Sequence, residues 1–331
     1  MKNYRIWFLR AAALLLLAAL LAWAFRNAPL AQIWTTLRRL QLWQIGVIGL
    51  VNGLIYLLIS LRWWIIVRAQ NRGVSFFSLL AARVAAFGVS YFTLGPQVGG
   101  EPLQVLALQR RHGLTYSRAT ASVLMDKLLE FLVNFLLLAL GLGASLQAAP
   151  RVLAGNNDIR LVVGLAGLFL LMLWPPVHIL LLYNHFQPLT WLLRALPFAP
   201  ARSRVARFLR AAEWLAGTFC RHHPRALLAS LGVSLLAGAG MLLDYALMLD
   251  FLGIHLSIWQ SLAGWTAGWL SFLAPLPGGL GALEASQVLA LGFFGVSSAA
   301  AVSVTLLMRA RDLFVGSLGL LLAGNDFSRV K

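Results

Sequence analysis

The sequence predicts an all-α polytopic membrane protein, and three observations carry that prediction. Of its 331 residues 60% are hydrophobic and only 11% charged, where a soluble domain carries roughly a quarter. Apolar runs of span length recur along the whole chain, at a mean hydropathy of +0.81. Two Gly-Pro interruptions, Leu94-Gly95-Pro96-Gln97-Val98-Gly99-Gly100-Glu101-Pro102 and Ala274-Pro275-Leu276-Pro277-Gly278-Gly279-Leu280-Gly281-Ala282-Leu283-Glu284, cut otherwise apolar segments. Broken backbone survives at membrane depth only when buried in protein or lining a cavity.

Lys2, Arg5 and Arg10 precede an apolar run that ends near Ala22-Trp23-Ala24, as in a signal peptide. The run extends from Trp7 to Phe25, close to a full span, so it reads as an uncleaved first helix. Ala31–Leu42, with Trp and Arg residues, reads as an amphipathic helix on the outer surface. Further spans are expected over Trp43–Val67, Ala119–Leu146, Leu161–Tyr183, Ala226–Phe251 and Ser298–Leu322, about six in all. Phe76–Leu94 leads into the first break and Leu103–Gln109 leads out; Ile258–Leu273 leads into the second and Leu283–Phe294 leads out. Each outgoing arm is too short to cross about 30 Å of hydrocarbon, so both segments read as re-entrant hairpins.

Residues 184–225 form a basic loop holding Arg194, Arg202, Arg204, Arg207, Arg210, Arg221 and Arg225 against one acid, Glu213. The positive-inside bias makes it cytoplasmic. Arg204, Arg207 and Arg210, three apart, share a helix face, with Val205, Phe208 and Leu209 near the other; such a helix lies on an anionic leaflet, and the alternative is a plain solvated connector. Counting outward from this loop puts both termini in the cytoplasm of an inner (plasma) membrane protein. The count agrees only if the two hairpins enter from opposite faces, the arrangement of an inverted repeat. The whole chain, 1–331, reads as one transmembrane domain, and a homo-oligomer is compatible with it. The net charge of +17 is spread between apolar spans. That points to membrane lipids with anionic head groups as partners, and away from nucleic acid. Cys220 is the only cysteine.

Two matching breaks in two halves of a chain are the best sequence pointer to a midplane binding site. Gly99 and Gly100 permit close backbone approach and open a helix start, where Glu101 either faces a ligand or caps the turn. Asp126 and Glu130 are four apart on one face, and Lys127 can pair with Glu130 or meet a lipid phosphate. Glu284 follows Gly278 and Gly279 as Glu101 follows the first pair. Arg309 and Arg311 interrupt the last span; a guanidinium matches phosphate bidentately, and the rival is an internal pair with Asp312 or Glu284. Arg62 and Arg83 are expected to snorkel to the interface, and Asp244 needs a partner that the sequence does not identify. No nucleophile motif, Walker loop or zinc-protease motif is present, and His112, His178, His185, His222, His223 and His255 show no metal spacing. No catalytic residue, metal or cofactor is therefore expected.

Four elements together resemble the lysylphosphatidylglycerol synthase transmembrane family: Gly95-Pro96-Gln97-Val98-Gly99-Gly100-Glu101 with Gln104, Asp126-Lys127 with Glu130, Pro277-Gly278-Gly279-Leu280-Gly281 with Glu284, and Leu307-Met308-Arg309 with Asp312. The resemblance covers nearly the whole chain. The family often has Asp and Arg where Glu101 and Gln104 stand here, and Ser or Pro around Gln97. Members fused to a soluble aminoacyl-transferase domain make and flip lysylated phosphatidylglycerol; with no such domain before Lys331, the resemblance implies flipping of a polar or anionic lipid between leaflets. It places Gly99, Gly100, Glu101, Gln104, Asp126, Lys127, Glu130, Gly278, Gly279, Glu284, Arg309 and Asp312 at the substrate. The alternatives are a membrane-embedded enzyme acting on a lipid-linked substrate, with Glu101 and Asp126 as acid and base, and a membrane scaffold for a separate enzyme.

Overall fold

A computed structural model describes residues 31, 34–35, 38–93, 99–148, 159–195, 204–273 and 276–328. The expected first span Trp7–Phe25, most of Ala31–Leu42, residues 94–98 of the first break and 274–275 of the second lie outside them. Every regular element among the described residues is helical: α1 Leu42–Gln70, α2 Phe76–Phe92, α3 Glu101–His112, α4 Tyr116–Ala148, α5 Ile159–Tyr183, α6 Pro188–Ala195, α7 Arg204–His222, α8 Pro224–Phe251, α9 Ile258–Ser271, α10 Ala282–Gly292 and α11 Ser298–Ser328, with a 3-10 turn at Pro277–Gly279. The fold is an all-α polytopic membrane protein. α1, α8 and residues 166–183 of α5 are long and apolar enough to span. α4 and α11 have the length, 33 and 31 residues, but carry the charged residues described below.

The order long helix, arm, arm, long helix runs twice. The lengths are 29, 17, 12 and 33 residues in α1–α4, then 28, 14, 11 and 31 in α8–α11. At 1.5 Å per residue the four arms span about 16–25 Å, short of the roughly 30 Å hydrocarbon layer.

The chain divides into two units. The first comprises Met1–Tyr56, Leu80–Leu103 and Leu242–Lys331. Its core packs Tyr91 and Phe92 of α2 against Leu306, Leu313 and Leu320 of α11. α2 and α11 touch backbone to backbone: a Cβ at Gly88 would lie 2.6 Å from the Gly316 carbonyl oxygen and 2.7 Å from the Leu320 nitrogen. α9 starts with a capping box in which Ser257 and Gln260 satisfy each other's backbone N–H. Gln287 then ties α10 to its neighbours, donating to the Gly264 carbonyl at 2.8 Å and accepting from the Tyr245 hydroxyl at 2.5 Å. A polar network that is fully made inside lipid fixes one register for the hairpin.

The second unit comprises Leu57–Leu79 and Gln104–Met241. Ser78 near the start of α2 meets Arg111 and His112 at the end of α3, at 3.3 and 3.0 Å. The chain therefore returns, at the end of the first hairpin, to the level from which it set out. The core joins Ile66, Met125, Leu128, Leu129 and Leu182 to Ala216, Phe219 and Cys220 of α7. α7 is thus packed along α4 and α5, and its face pattern differs from the one its spacing suggests. Ala206, Ala212, Ala216 and Gly217 turn inward, while Val205, Phe208 and Trp214 are exposed beside Arg204, Arg207 and Arg210. Small residues let helix backbones approach, and a lipid-exposed surface does not expel large apolar ones. Glu213, the single acid of the basic segment, is fully buried. It accepts the Leu189 and Thr190 N–H groups at the start of α6, both at 2.8 Å.

Gly88→Ala is expected to cost about 1–3 kcal/mol or more, by forcing two backbones apart. Gly232→Ala, with open space at its Cβ, is expected to be neutral or to stabilise by up to about 1 kcal/mol. Thermal unfolding of both variants in one detergent compares them. Cys220, with its sulfur 3.8 Å from that of Met125, is expected to resist maleimide in the folded protein and to react at once in dodecyl sulfate, read by mass spectrometry.

Candidate functional site

Both breaks end in a carboxylate that closes its own turn. Glu101 accepts the Gly99 N–H at 2.8 Å, and Glu284 accepts the Gly281 N–H at 3.0 Å. Each therefore occupies the positive end of the helix it starts. At the second break Gly278, Gly279 and Gly281 all have positive φ, of 57°, 60° and 78°, a backbone path that side chains with a Cβ disfavour. That path leaves carbonyls without helical partners, and Arg309 of α11 supplies them. Its Nη1 donates to the Gly278 carbonyl at 3.0 Å, its Nη2 to the Gly279 carbonyl at 3.4 Å, and its Nε to Glu284 at 2.5 Å. One guanidinium thus holds both the broken turn and the carboxylate that follows it. The Arg309 side chain is 3% exposed and that of Glu284 31%, so Glu284 covers the guanidinium from the open side. Tyr91 of α2 reaches Gly278, where an added Cβ would lie 3.3 Å from its ring and hydroxyl.

Arg311, two residues further along α11, points to another face of the helix. It pairs with Asp244 of α8, the partner that the sequence left open, and with Asp312 at 2.8 Å. Arg309 makes its internal pair with Glu284 and leaves Asp312 to Arg311.

The second unit holds a cluster of its own. Arg62 of α1 donates from Nε to Asp126 at 2.7 Å, from Nη2 to Glu130 at 3.1 Å and from Nη1 to Ser234 at 3.3 Å. Lys127 adds a bond to Glu130 at 3.2 Å. Arg62 does not snorkel: it is 2% exposed and stands between two carboxylates, because leaving either unpaired in the interior costs more than burying the cation with them. Arg83 is buried as well. Lys127 and Glu130 keep a partly exposed edge, and Lys127 lies 5.8 Å from the Phe131 ring centre.

The residues singled out in the sequence divide between the units. Gly99, Gly100, Glu101, Gly278, Gly279, Glu284, Arg309 and Asp312 fall in the first; Gln104, Asp126, Lys127 and Glu130 fall in the second. Gln104 is buried, with Oε1 lacking a hydrogen-bond partner among the described residues. Arg62, Asp244, Tyr245 and Gln287 complete the networks, and only their polarity within apolar runs marked them. Arg62 and Asp244 stand at the same place in the repeated order, each twenty residues after the first residue of its helix, Leu42 and Pro224.

Two interrupted helical hairpins, each followed by a long helix carrying paired charges, define a polytopic membrane protein with buried polar groups at its breaks. The chain belongs to the family described as the lysylphosphatidylglycerol synthase TM region, whose model matches residues 10–319. Membership ties it to lipid modification or translocation in a membrane. No curated protein and no solved structure matches the chain.

Arg62→Ala is expected to remove the guanidinium shared by Asp126 and Glu130 and to cost about 3–5 kcal/mol. Arg62→Ala combined with Asp126→Asn is expected to lose less than the sum of the two single changes. Detergent melts of the four proteins in the cycle measure the coupling.

Proposed function

We propose that this protein moves a polar lipid, with an anionic head group, between the leaflets of the plasma membrane without a covalent step, with both its termini in the cytoplasm. The observation that carries the reading is the Arg309 arrangement. A buried guanidinium holds an interrupted hairpin, and a partly exposed carboxylate, Glu284, is its only anionic partner in a direct pair among the described residues. A phosphate offers the same bidentate acceptor geometry as a carboxylate. A head group arriving on the exposed side of Glu284 replaces it at Arg309, and the freed turn at Gly278–Gly279 changes its path. Binding energy is then spent on opening the break, and the differential contact that a conformational change requires is supplied. Throughout, the acyl chains of the lipid remain in hydrocarbon.

The test is a leaflet assay on proteoliposomes, with fluorescent anionic and zwitterionic lipids and dithionite as the quencher. Wild type is expected to speed the exchange of the anionic probe. Arg309→Ala is expected to lose at least tenfold, and Arg309→Lys, whose donors radiate from one nitrogen and lack the planar fork of a guanidinium, several-fold. Glu284→Gln, which weakens the competitor of the phosphate, is expected to change the rate while retaining transport. Unchanged exchange in both arginine variants, at equal reconstitution, excludes this site.

A further inference from the structure

The charge balance of the first unit's cluster leaves a remainder. Two guanidiniums, Arg309 and Arg311, face three carboxylates, Glu284, Asp312 and Asp244. The three acids are not equally served. Glu284 takes the Arg309 Nε and the Gly281 N–H and reaches the open side. Asp312 accepts the Arg311 Nε–H and lies 2.8 Å from its Nη2. Asp244 takes one N–H, from Nη1 of the same guanidinium to its Oδ2. Its Oδ1 is buried with no hydrogen-bond partner among the described residues, and the residue is 1% exposed.

An ionised carboxylate oxygen without a donor in a water-excluded interior is among the most expensive groups to bury, far more so than a neutral hydroxyl. Sharing Arg311 with Asp312 adds like-charge repulsion to that cost. The groups facing this site are Tyr56 of α1, Tyr91 of α2, Asp244 of α8, Glu284 of α10, and Arg309, Arg311 and Asp312 of α11. Among the described residues none of them supplies a third cation to Asp244. The two tyrosines are neutral, and α9 brings no charged side chain within its length.

We infer that Asp244 binds an exchangeable proton at Oδ1, the position where the cluster's surplus negative charge is concentrated and undonated. The site is separate from Glu284, the carboxylate assigned above to competition with the head group. Protonation makes the cluster neutral: Arg309 with Glu284, Arg311 with Asp312, and a carboxylic acid on Asp244 that keeps its Oδ2 bond to Arg311. Deprotonation adds one negative charge, for which Arg311 must then serve two anions. Because Arg311 and Arg309 lie two residues apart on one helix, a change in how Arg311 is shared reaches the helix that holds the second break. The device is a proton site wired to a hinge.

The experiment is infrared spectroscopy of the full chain in proteoliposomes at neutral pH, in light and heavy water, on wild type, Asp244→Asn and Glu284→Gln. Wild type is expected to show the carbonyl stretch of one protonated carboxylic acid, shifted by deuterium. That band is expected to vanish in Asp244→Asn, to remain in Glu284→Gln, and to fade in wild type as the buffer is made alkaline. Absence of the band in wild type overturns the inference, as does its survival in Asp244→Asn. A missing band together with a melting temperature raised by sodium and not by choline places a metal cation at Asp244 in place of the proton, and overturns it too. Absence of the band from wild type decides even if a variant misfolds. Being spectroscopic, the result is independent of whether lipid exchange is observed.

Discussion

A helix that stops inside hydrocarbon must hand its carbonyls to something other than water, and in this molecule it hands them to Arg309. The rest of the first unit follows from that bond. α11 has to lie close enough for a side chain to reach Gly278 and Gly279, and the same helix meets α2 at Gly88 and Gly319 with no room for a Cβ. Glu284 has to stand three residues into its helix, where it closes the turn and neutralises the cation together. The odd spacing of two arginines in α11 sends the second guanidinium toward α8, so that one helix organises neighbours on two sides. Removing the arginine therefore disturbs a turn, a helix start and an ion pair at the same time.

The second unit solves a related problem with the positions exchanged. There the cation, Arg62, sits on the helix that precedes the hairpin, and the acids, Asp126 and Glu130, sit on the helix that follows. Around the second hairpin the acid, Asp244, precedes and the cations follow. Ion pairs of this kind gain little net energy when buried but cost heavily when half of one is missing. Their effect is to fix which helix lies against which. Glu213 does the same on a smaller scale, its buried carboxylate pinning the first turn of α6 to α7.

The helices were legible in the sequence because the length of an apolar run, bounded by Gly and Pro, is set by the bilayer. The expected arms Ile258–Leu273 and Leu283–Phe294 differ from α9 and α10 by two residues or fewer at either end. The carboxylates after the breaks were legible as well, since a helix start favours an acid wherever it lies. Partners were not legible. Arg62 and Asp126 stand 64 positions apart, and nothing local distinguishes a paired arginine from one that reaches for the interface. The face of α7 misled for a different reason: in lipid the bulky apolar residues can point outward and alanine inward, so the pattern that locates a soluble core inverts.

The reversal of sign between the halves has a consequence for assembly. The two halves present helices of nearly equal length in the same order, so each long helix meets two similar candidates while the chain is being inserted. Were α1 to take the place of α8 against α11, Arg62 would confront Arg309 and Arg311. Were α8 to replace α1 against α4, Asp244 would confront Asp126 and Glu130. Each exchange sets like charges against each other where no water can separate them. A chain with one repeated plan thus rejects its own most plausible misassembly by electrostatic repulsion, at a location where repulsion is least screened.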